Sequence, residues 1–147
     1  MASMTSGLLL SENVMLDLCA KAVAATMLSR EIRGRIINMS SNCGKLGYPR
    51  LAAYCASKFG MIGFTQALAL ELARRESPST PICPGLADTD RLDHLGRRPD
   101  GGTGGHHPLG RLASTEDVAE ITAFLVSDGA AYVTGQAMNV AGGAINH

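Results

Sequence analysis

Two side chains in this 147-residue sequence have the types and the spacing of a proton-transfer pair, namely Tyr54 and Lys58. They are four positions apart, which places both on one face of a helix. A tyrosine hydroxyl, with a pKa near about 10, is a weak acid and a weak base at neutral pH. A neighbouring lysine ammonium favours the phenolate and lowers that pKa. Such a pair is suited to exchange a proton with an alcohol or a carbonyl group.

A serine and a sharp turn accompany this pair. Ser41 ends a short β-rich run, and its hydroxyl is suited to hold a substrate oxygen beside Tyr54. The stretch Pro84-Gly85-Leu86-Ala87-Asp88-Thr89 predicts a sharp turn after a second candidate strand. Ligands of open α/β sheets bind beyond the carboxyl ends of the strands. We therefore expect Ser41 and this turn to lie at one edge of a sheet.

The elements that must position these residues alternate between helix and strand patterns. This alternation predicts an α/β fold with a parallel sheet. Three helices are predicted, at residues 11–32, 51–75 and 114–127. The second is apolar around most of its circumference, and the third begins with a capping-box pattern. The predicted strands are 35–41 and 136–140.

A third strand is predicted less directly. Thr80 to Cys83 has strand character, but Pro78 and Pro81 disfavour a strand because proline cannot donate to a sheet ladder. We expect this central strand to be short or distorted. Residues 86–110 form a loop heavy in glycine, and its composition predicts a flexible substrate loop.

Composition excludes several classes of partner. Thirteen basic and thirteen acidic residues give a net charge of zero, which favours neither nucleic acid nor an acidic membrane as a partner. No apolar run approaches the ~18 residues of a membrane span, and the first residues have no basic signal-peptide region. The cysteines do not have metal-ligand spacing, and His106 and His107 lie in the glycine-rich loop. We expect a cytoplasmic protein with reduced thiols and no metal.

Four segments together resemble the short-chain dehydrogenase/reductase (SDR) family. They contain, in order, a serine, the motif YxxxK, the motif PGxxxT and a tail of the TGQ…GG type, and they are residues 34–73, 83–90, 107–128 and 132–143. The resemblance covers roughly residues 13–143. It implies a Rossmann-like doubly wound sheet and NAD(P)-dependent interconversion of a secondary alcohol and a ketone. Sugar alcohols and 3-oxoacyl groups are the substrates that similar family members suggest.

The resemblance also implies roles for single residues. Tyr54 would be the general acid and base, Lys58 would lower its pKa, and Ser41 would orient the substrate oxygen. Asn13 occupies about the place of the family's fourth catalytic residue, which supports a proton relay. An ordinary residue in the first turn of its helix is an equally good interpretation of Asn13.

The resemblance implies NAD or NADP as the cofactor. It also implies that Tyr54 and Lys58 contact the nicotinamide ribose. Pro84, Gly85 and Thr89 would border the nicotinamide, with Thr89 reaching its carboxamide. The family's glycine-rich phosphate turn between a first strand and a first helix is absent from this sequence. We therefore expect the catalytic portion of the family fold without its glycine-rich half.

The predicted domain is a single partial Rossmann-like unit over residues 1–147. It has about three strands and three main helices, with residues 1–10 as an irregular leader. Two hypotheses follow. The protein is an SDR oxidoreductase on a small alcohol or ketone, or it is a truncated, silent homologue that acts through oligomerisation or pairing with a full-length relative. The family uses the helices predicted here at 11–32 and 51–75 as a subunit interface, so a homo-oligomer is expected.

Overall fold

The computed structural model describes residues 6–75, 77–88 and 107–146, with side chains from residue 18 onward. Its helices are α1 (Ser6–Ser29), α2 (Ala52–Leu72) and α3 (Thr115–Val126). Its strands are β1 (Ile36–Met39), β2 (Ser79–Pro84) and β3 (Met138–Val140). The described residues thus contain three helices and three strands in alternation, which confirms the predicted α/β class.

The strands form one parallel sheet in the order β1-β2-β3. Ile36 and Ile37 are adjacent in β1 and point to opposite faces of the sheet. Ile36 packs with Leu68 and Leu72 of α2 and with α1, whereas Ile37 packs on the cluster that contains Leu125 of α3. Helices therefore cover both faces, and α2 packs mainly over β2, while its Leu68 and Leu72 reach Ile36 of β1.

Strand β2 is not the short strand that Pro78 and Pro81 led us to expect. It has six residues, pairs on both sides and is the longest of the described strands. The N–H of Gly85 donates to the carbonyl of Val140, the last residue of β3, and N–H groups alternate sides along a strand. The nitrogen of Pro81 therefore faces the β3 side, where pairing begins only at Ile82. No ladder hydrogen bond is lost at this proline.

Helix α1 differs from its predicted bounds at both ends. It begins at Ser6, so residues 6–10 of the expected irregular leader are helical. It ends before the predicted Ile32 because Glu31 adopts a left-handed conformation with φ of 53°. The N–H of Ile32 donates to the carbonyl of Met27 at 2.9 Å, and the N–H of Glu31 donates to that of Leu28. These two bonds form a Schellman motif, which terminates the helix without glycine.

Helix α3 begins with the predicted capping box. The hydroxyl of Ser114 accepts the N–H of Asp117 at 3.2 Å, and the carboxylate of Asp117 accepts the N–H of Ser114 at 2.7 Å. Arg111 adds a second pair of donors, with Nη2 2.9 Å from Oδ1 of Asp117. Two orphan N–H groups of the first turn are satisfied in this way, which fixes where α3 begins.

This cap should weaken in acid. The hydrogen bonds from Arg111 and from the Ser114 N–H hold the pKa of Asp117 well below its usual range. Because the folded-state pKa is lowered, the carboxylate stabilises the fold above its ordinary pKa of 3.8 and loses this effect as the pH falls below that value. We expect Asp117→Asn to reduce the pH dependence of the unfolding free energy between neutral pH and about pH 3.

Urea unfolding at several pH values measures this dependence. Glu120→Gln is the matched control, since Glu120 is an exposed carboxylate of the same helix. An equal pH dependence in wild type and Asp117→Asn would show that ionisation of Asp117 does not contribute to the stability of the fold.

Within the described part of the chain, no helix combines the length and the apolar character that crossing a membrane requires.

Candidate functional site

Helix α2 brings Tyr54 and Lys58 together. The ammonium nitrogen of Lys58 lies 5.7 Å from the centre of the Tyr54 ring, within reach of a cation–π interaction. Both side chains are half-buried, in the first two turns of the helix. The i, i+4 spacing recognised in the sequence therefore corresponds to a direct spatial pairing.

The end of strand β1 fixes the position of Lys58. The hydroxyl of Ser40 donates to the backbone carbonyl of Lys58 at 2.9 Å, which ties α2 to the sheet. The Lys58 ammonium in turn donates to the carbonyl of Met39 at 3.0 Å. The charge of this lysine is thereby held at the carboxyl end of β1, where a substrate or cofactor of an open α/β sheet binds.

Ser41 lies one residue further, at the same end of the sheet. It is buried and caps a short 3-10 helix, Asn42–Gly44. Its hydroxyl accepts the N–H of Cys43 at 3.2 Å and donates to the side-chain oxygen of Asn42 at 3.0 Å. A substrate oxygen would take the place of the Asn42 acceptor, so Ser41 can hold a substrate while it keeps its capping bond.

Gly44 is a positioning residue that the sequence reasoning missed. A Cβ atom at this position would lie 2.6 Å from the Ser40 hydroxyl oxygen and 2.7 Å from the carbonyl oxygen of Lys58. The turn after β1 can therefore approach α2 only because residue 44 has no side chain. In the sequence, Gly44 and Gly47 are two glycines of the same loop after the first predicted strand. No local pattern distinguishes one from the other.

The turn after β2 closes the same edge of the site. Pro84 ends β2, and a Cβ at Gly85 would lie 3.0 Å from the Cα of Ala141, so the two chain segments touch. The N–H of Asp88 donates to the carbonyl of Ala113 at 2.8 Å, which holds the start of the following loop against the segment before α3. Both ends of the predicted flexible loop, 86–88 and 107–110, are described, and the remainder lies outside the described residues.

Two predicted site residues cannot be placed at the site. Asn13 lies within α1, but its side chain is outside the described part of the structure. Thr89 lies outside the described residues altogether, as does His106. Their roles stay predictions from the family resemblance.

The thiols near the site are suited to packing and not to nucleophilic chemistry. Burial raises the pKa of Cys43 and of Cys83, so both are protonated at neutral pH. Lys45 lowers the pKa of Cys83 to a smaller extent, and its ammonium donates to the carbonyl of Ala137 at 2.8 Å. All four cysteines are free thiols. In the described ranges, no group of three or more potential ligand side chains could hold a metal ion.

The chain matches a known family over most of its length. A family model described as enoyl-(acyl carrier protein) reductase matches residues 15–145. The chain belongs to the short-chain dehydrogenase/reductase family. This family membership confirms the resemblance seen in the four sequence segments, and it makes oxidoreductase chemistry the family context of the site.

Individual SDR proteins are similar to this chain over about half of their own length. The 3-oxoacyl-(acyl-carrier-protein) reductase of Haemophilus influenzae is 39% identical over 124 residues, which are 84% of this chain and 51% of that protein. A structure of ElxO with NADP bound has a TM-score of 0.81 at 28% identity, covering 90% of this chain and 54% of the other. A 4-hydroxyisoleucine dehydrogenase complexed with NADH has a TM-score of 0.77 at 27% identity, covering 88% and 55%.

The described residues fit one end of a dinucleotide. The ammonium of Lys58 and the hydroxyl of Ser41 lie at the end of β1, and the Gly85 turn follows the neighbouring strand β2. All three therefore belong to the carboxyl edge of the sheet, where a nicotinamide ribose would bind. A pyrophosphate needs N–H groups at a glycine-rich turn between a strand and a helix. In residues 6–75, 77–88 and 107–146, no strand leads through such a turn into a helix. The described residues therefore suit the nicotinamide end of such a cofactor, and the described ranges contain no turn for its pyrophosphate.

Proposed function

We propose that this SDR chain serves an NAD(P)-dependent oxidoreductase that interconverts a secondary alcohol and a ketone. The observation that carries the proposal is the Tyr54–Lys58 pair, with its ammonium 5.7 Å from the ring centre, at the carboxyl edge of a parallel sheet. Among candidate substrates we favour a 3-oxoacyl group, because the relative from Haemophilus influenzae is a 3-oxoacyl-(acyl-carrier-protein) reductase. A sugar alcohol is the rival substrate.

The proton chemistry falls to Tyr54. In ketone reduction its hydroxyl gives a proton to the carbonyl oxygen, and in alcohol oxidation the phenolate takes that proton back. The ammonium of Lys58 keeps a positive charge 5.7 Å from the centre of the Tyr54 ring. The hydroxyl of Ser41 donates to the same substrate oxygen and orients it toward Tyr54. The nicotinamide cofactor, when bound, supplies or accepts the hydride at the substrate carbon.

Cofactor binding is assigned to residues around this pair. Lys58 and Tyr54 hold the ribose, and Pro84 and Gly85 border the nicotinamide from the end of β2. Thr89 and Asn13 complete the proposed set from the family resemblance. Both NADH and NADP are bound by similar proteins, so NAD and NADP are both candidates.

The substrate class is tested by following the absorbance of NADH and NADPH with the purified protein. A 3-oxoacyl thioester should be reduced in a protein-dependent reaction, and a polyol with the oxidised cofactors should react more slowly. Faster oxidation of the polyol would contradict the substrate assignment. No turnover with either substrate would contradict the proposed function and favour a silent homologue that acts through pairing.

Assembly of this SDR chain is proposed to use α1 and α2. Large apolar side chains of these helices face solvent, including Leu18, which is 57% exposed, and Leu70, which is 80% exposed. Val23, Leu28 and Phe59 extend the exposed apolar surface. Contiguous apolar surface of this kind marks interaction sites. A homo-oligomer through these helices should appear in light scattering as a mass above that of one chain, and a uniform monomer would contradict it.

The location of the protein is proposed to be the cytoplasm. All four cysteines are free thiols, which is the usual state in a reducing compartment.

A further inference from the structure

A chain of hydrogen bonds leads from Ser41 into the loop before α2. The Ser41 hydroxyl donates to Oδ1 of Asn42 at 3.0 Å, and Nδ2 of Asn42 donates to the hydroxyl oxygen of Tyr48 at 3.3 Å. Tyr48 is 36% exposed, so a small molecule can reach its side chain. One amide group therefore joins the hydroxyl assigned to the substrate oxygen to a second hydroxyl.

The backbone of Tyr48 is fixed to the start of α2. The N–H of Leu51, the residue before this helix, donates to the carbonyl of Tyr48 at 3.1 Å. Tyr54 follows in the first turn of the helix. The side chain of Tyr48 returns to Asn42 after β1, so Tyr48 bridges the two segments that carry Ser41 and Tyr54.

Tyr48 remains a hydrogen-bond donor at neutral pH. Burial raises the pKa of its hydroxyl, and the neighbouring Cys43 and Cys55 raise this pKa to a smaller extent. A phenol that accepts one hydrogen bond still has its own hydrogen to donate. Tyr48 is thus suited to hold an acceptor oxygen, and not to transfer a proton, which is the role assigned to Tyr54.

We propose that Tyr48 donates a hydrogen bond to a second oxygen of the substrate, and that this contact selects 3-oxoacyl thioesters over ketones with one oxygen. When the Ser41 hydroxyl turns to the reacting carbonyl oxygen, Asn42 keeps Tyr48 in place through Nδ2. The Tyr48 hydroxyl then donates to the thioester carbonyl oxygen, which can only accept. This inference rests on the proposed function and adds to it the group that recognises the substrate.

The separation of the two hydroxyls favours a substrate whose oxygens are on alternate carbon atoms. The oxygen and the nitrogen of an amide point in diverging directions, so their partners Ser41 and Tyr48 do not lie side by side. The oxygens of a vicinal diol are on adjacent carbons and lie close together. In a 3-oxoacyl thioester a further carbon separates the two carbonyl groups, so both oxygens can reach their donors. A vicinal polyol is therefore the poorer ligand.

Two substrates test this selection, the acetoacetyl thioester of N-acetylcysteamine and methyl pentyl ketone, which has one oxygen. In Tyr48→Phe the ratio of kcat/KM for the thioester to that for the ketone should fall about three- to tenfold, the usual effect of one neutral hydrogen bond. Tyr132→Phe, which removes an exposed hydroxyl elsewhere, should keep the wild-type ratio. Damage to the fold would lower both values together and leave the ratio unchanged. An unchanged ratio in Tyr48→Phe would overturn the proposal.

The orientation of Tyr48 by Asn42 has a variant of its own. Asn42→Asp keeps an acceptor for Ser41 but loses the N–H groups that hold Tyr48. The Tyr48 hydroxyl would then donate to the carboxylate and turn away from the substrate, so the ratio should fall as it does in Tyr48→Phe. The double variant should fall no further than either single variant. Additive losses would overturn the orientation of Tyr48 by Asn42.

A binding measurement makes the test independent of turnover. Tyr54→Phe removes the proton-transfer group and keeps Ser41, Asn42 and Tyr48, so calorimetric titration with the acetoacetyl thioester, with and without NADPH, reports binding alone. Adding Tyr48→Phe to this variant should raise the Kd about three- to tenfold. No binding to Tyr54→Phe in either condition, or an equal Kd in both variants, would overturn the contact. Weaker binding after Tyr48→Phe, without turnover in the wild-type chain, would contradict only the proposed function.

Discussion

Tyr54→Phe is expected to lower kcat for ketone reduction by about 10²–10⁴-fold and to leave the free energy of unfolding nearly unchanged. The phenylalanine ring keeps the shape of the tyrosine and its place beside the Lys58 ammonium, 5.7 Å from the ring centre. Only the hydroxyl is lost, and with it the proton that the substrate oxygen must receive. Steady-state kinetics and urea unfolding of the same preparation separate the two effects.

Tyr132→Phe provides the matched control. Tyr132 is fully exposed in the segment between α3 and β3, so removal of its hydroxyl should change neither kcat nor stability. Turnover of Tyr54→Phe equal to that of Tyr132→Phe would show that another group supplies the proton. A large loss of stability in Tyr54→Phe would instead assign the hydroxyl a structural role.

Gly44→Ala is expected to destabilise the fold by about 1–3 kcal/mol, the usual cost of an extra methyl group in a tightly packed site. The new Cβ would lie within 2.8 Å of the Cδ1 of Ile62 and closer still to Ser40 and to the backbone carbonyl of Lys58. A backbone atom cannot turn aside as a side chain can, so the turn and α2 must separate. The separation shifts Lys58 and should lower kcat as well. Urea unfolding measures the first effect and the reductase assay the second.

Gly47→Ala distinguishes this close approach from a general effect of replacing glycine. No atom lies within 4 Å of a Cβ built at Gly47, and the two residues belong to the same loop. This control should match wild type in stability or exceed it slightly, since alanine restricts the unfolded chain. A loss of stability in Gly47→Ala as large as in Gly44→Ala would contradict the packing argument.

The parts of this SDR chain that follow from local patterns could be predicted from the sequence. The spacing of Tyr54 and Lys58 places them on one helix face whatever the tertiary structure. The capping box at Ser114 depends only on residues within one turn. The place of Ser41 at the end of an apolar run is also a local pattern. A parallel sheet then brings this residue to its carboxyl edge.

The parts that depend on register could not be predicted in the same way. Whether Pro81 disrupts β2 depends on which neighbouring strand its nitrogen faces and on the residue at which β3 begins to pair. The residues around position 81 do not determine either of these two features. The end of α1 uses a left-handed residue that is not glycine, Glu31, so the helix ends before the predicted Ile32.

The contacts that position the site are tertiary. The closeness of Gly44 to the Lys58 carbonyl joins a loop to a helix fourteen residues later, and no spacing rule links the two. The hydrogen bond from Lys58 to Met39 likewise exists only because the packing of α2 on the sheet brings Lys58 to the end of β1. The sequence identifies the reactive side chains, but the residues that hold them in position are recognised only from the packed structure.

A fluorescence titration of the purified chain with NADH and NADPH tests directly whether this SDR chain serves a nicotinamide-dependent oxidoreductase. Saturable binding of at least one cofactor is expected, and Lys58→Met should weaken it. The absence of saturable binding of either cofactor at millimolar concentration would contradict the proposed function.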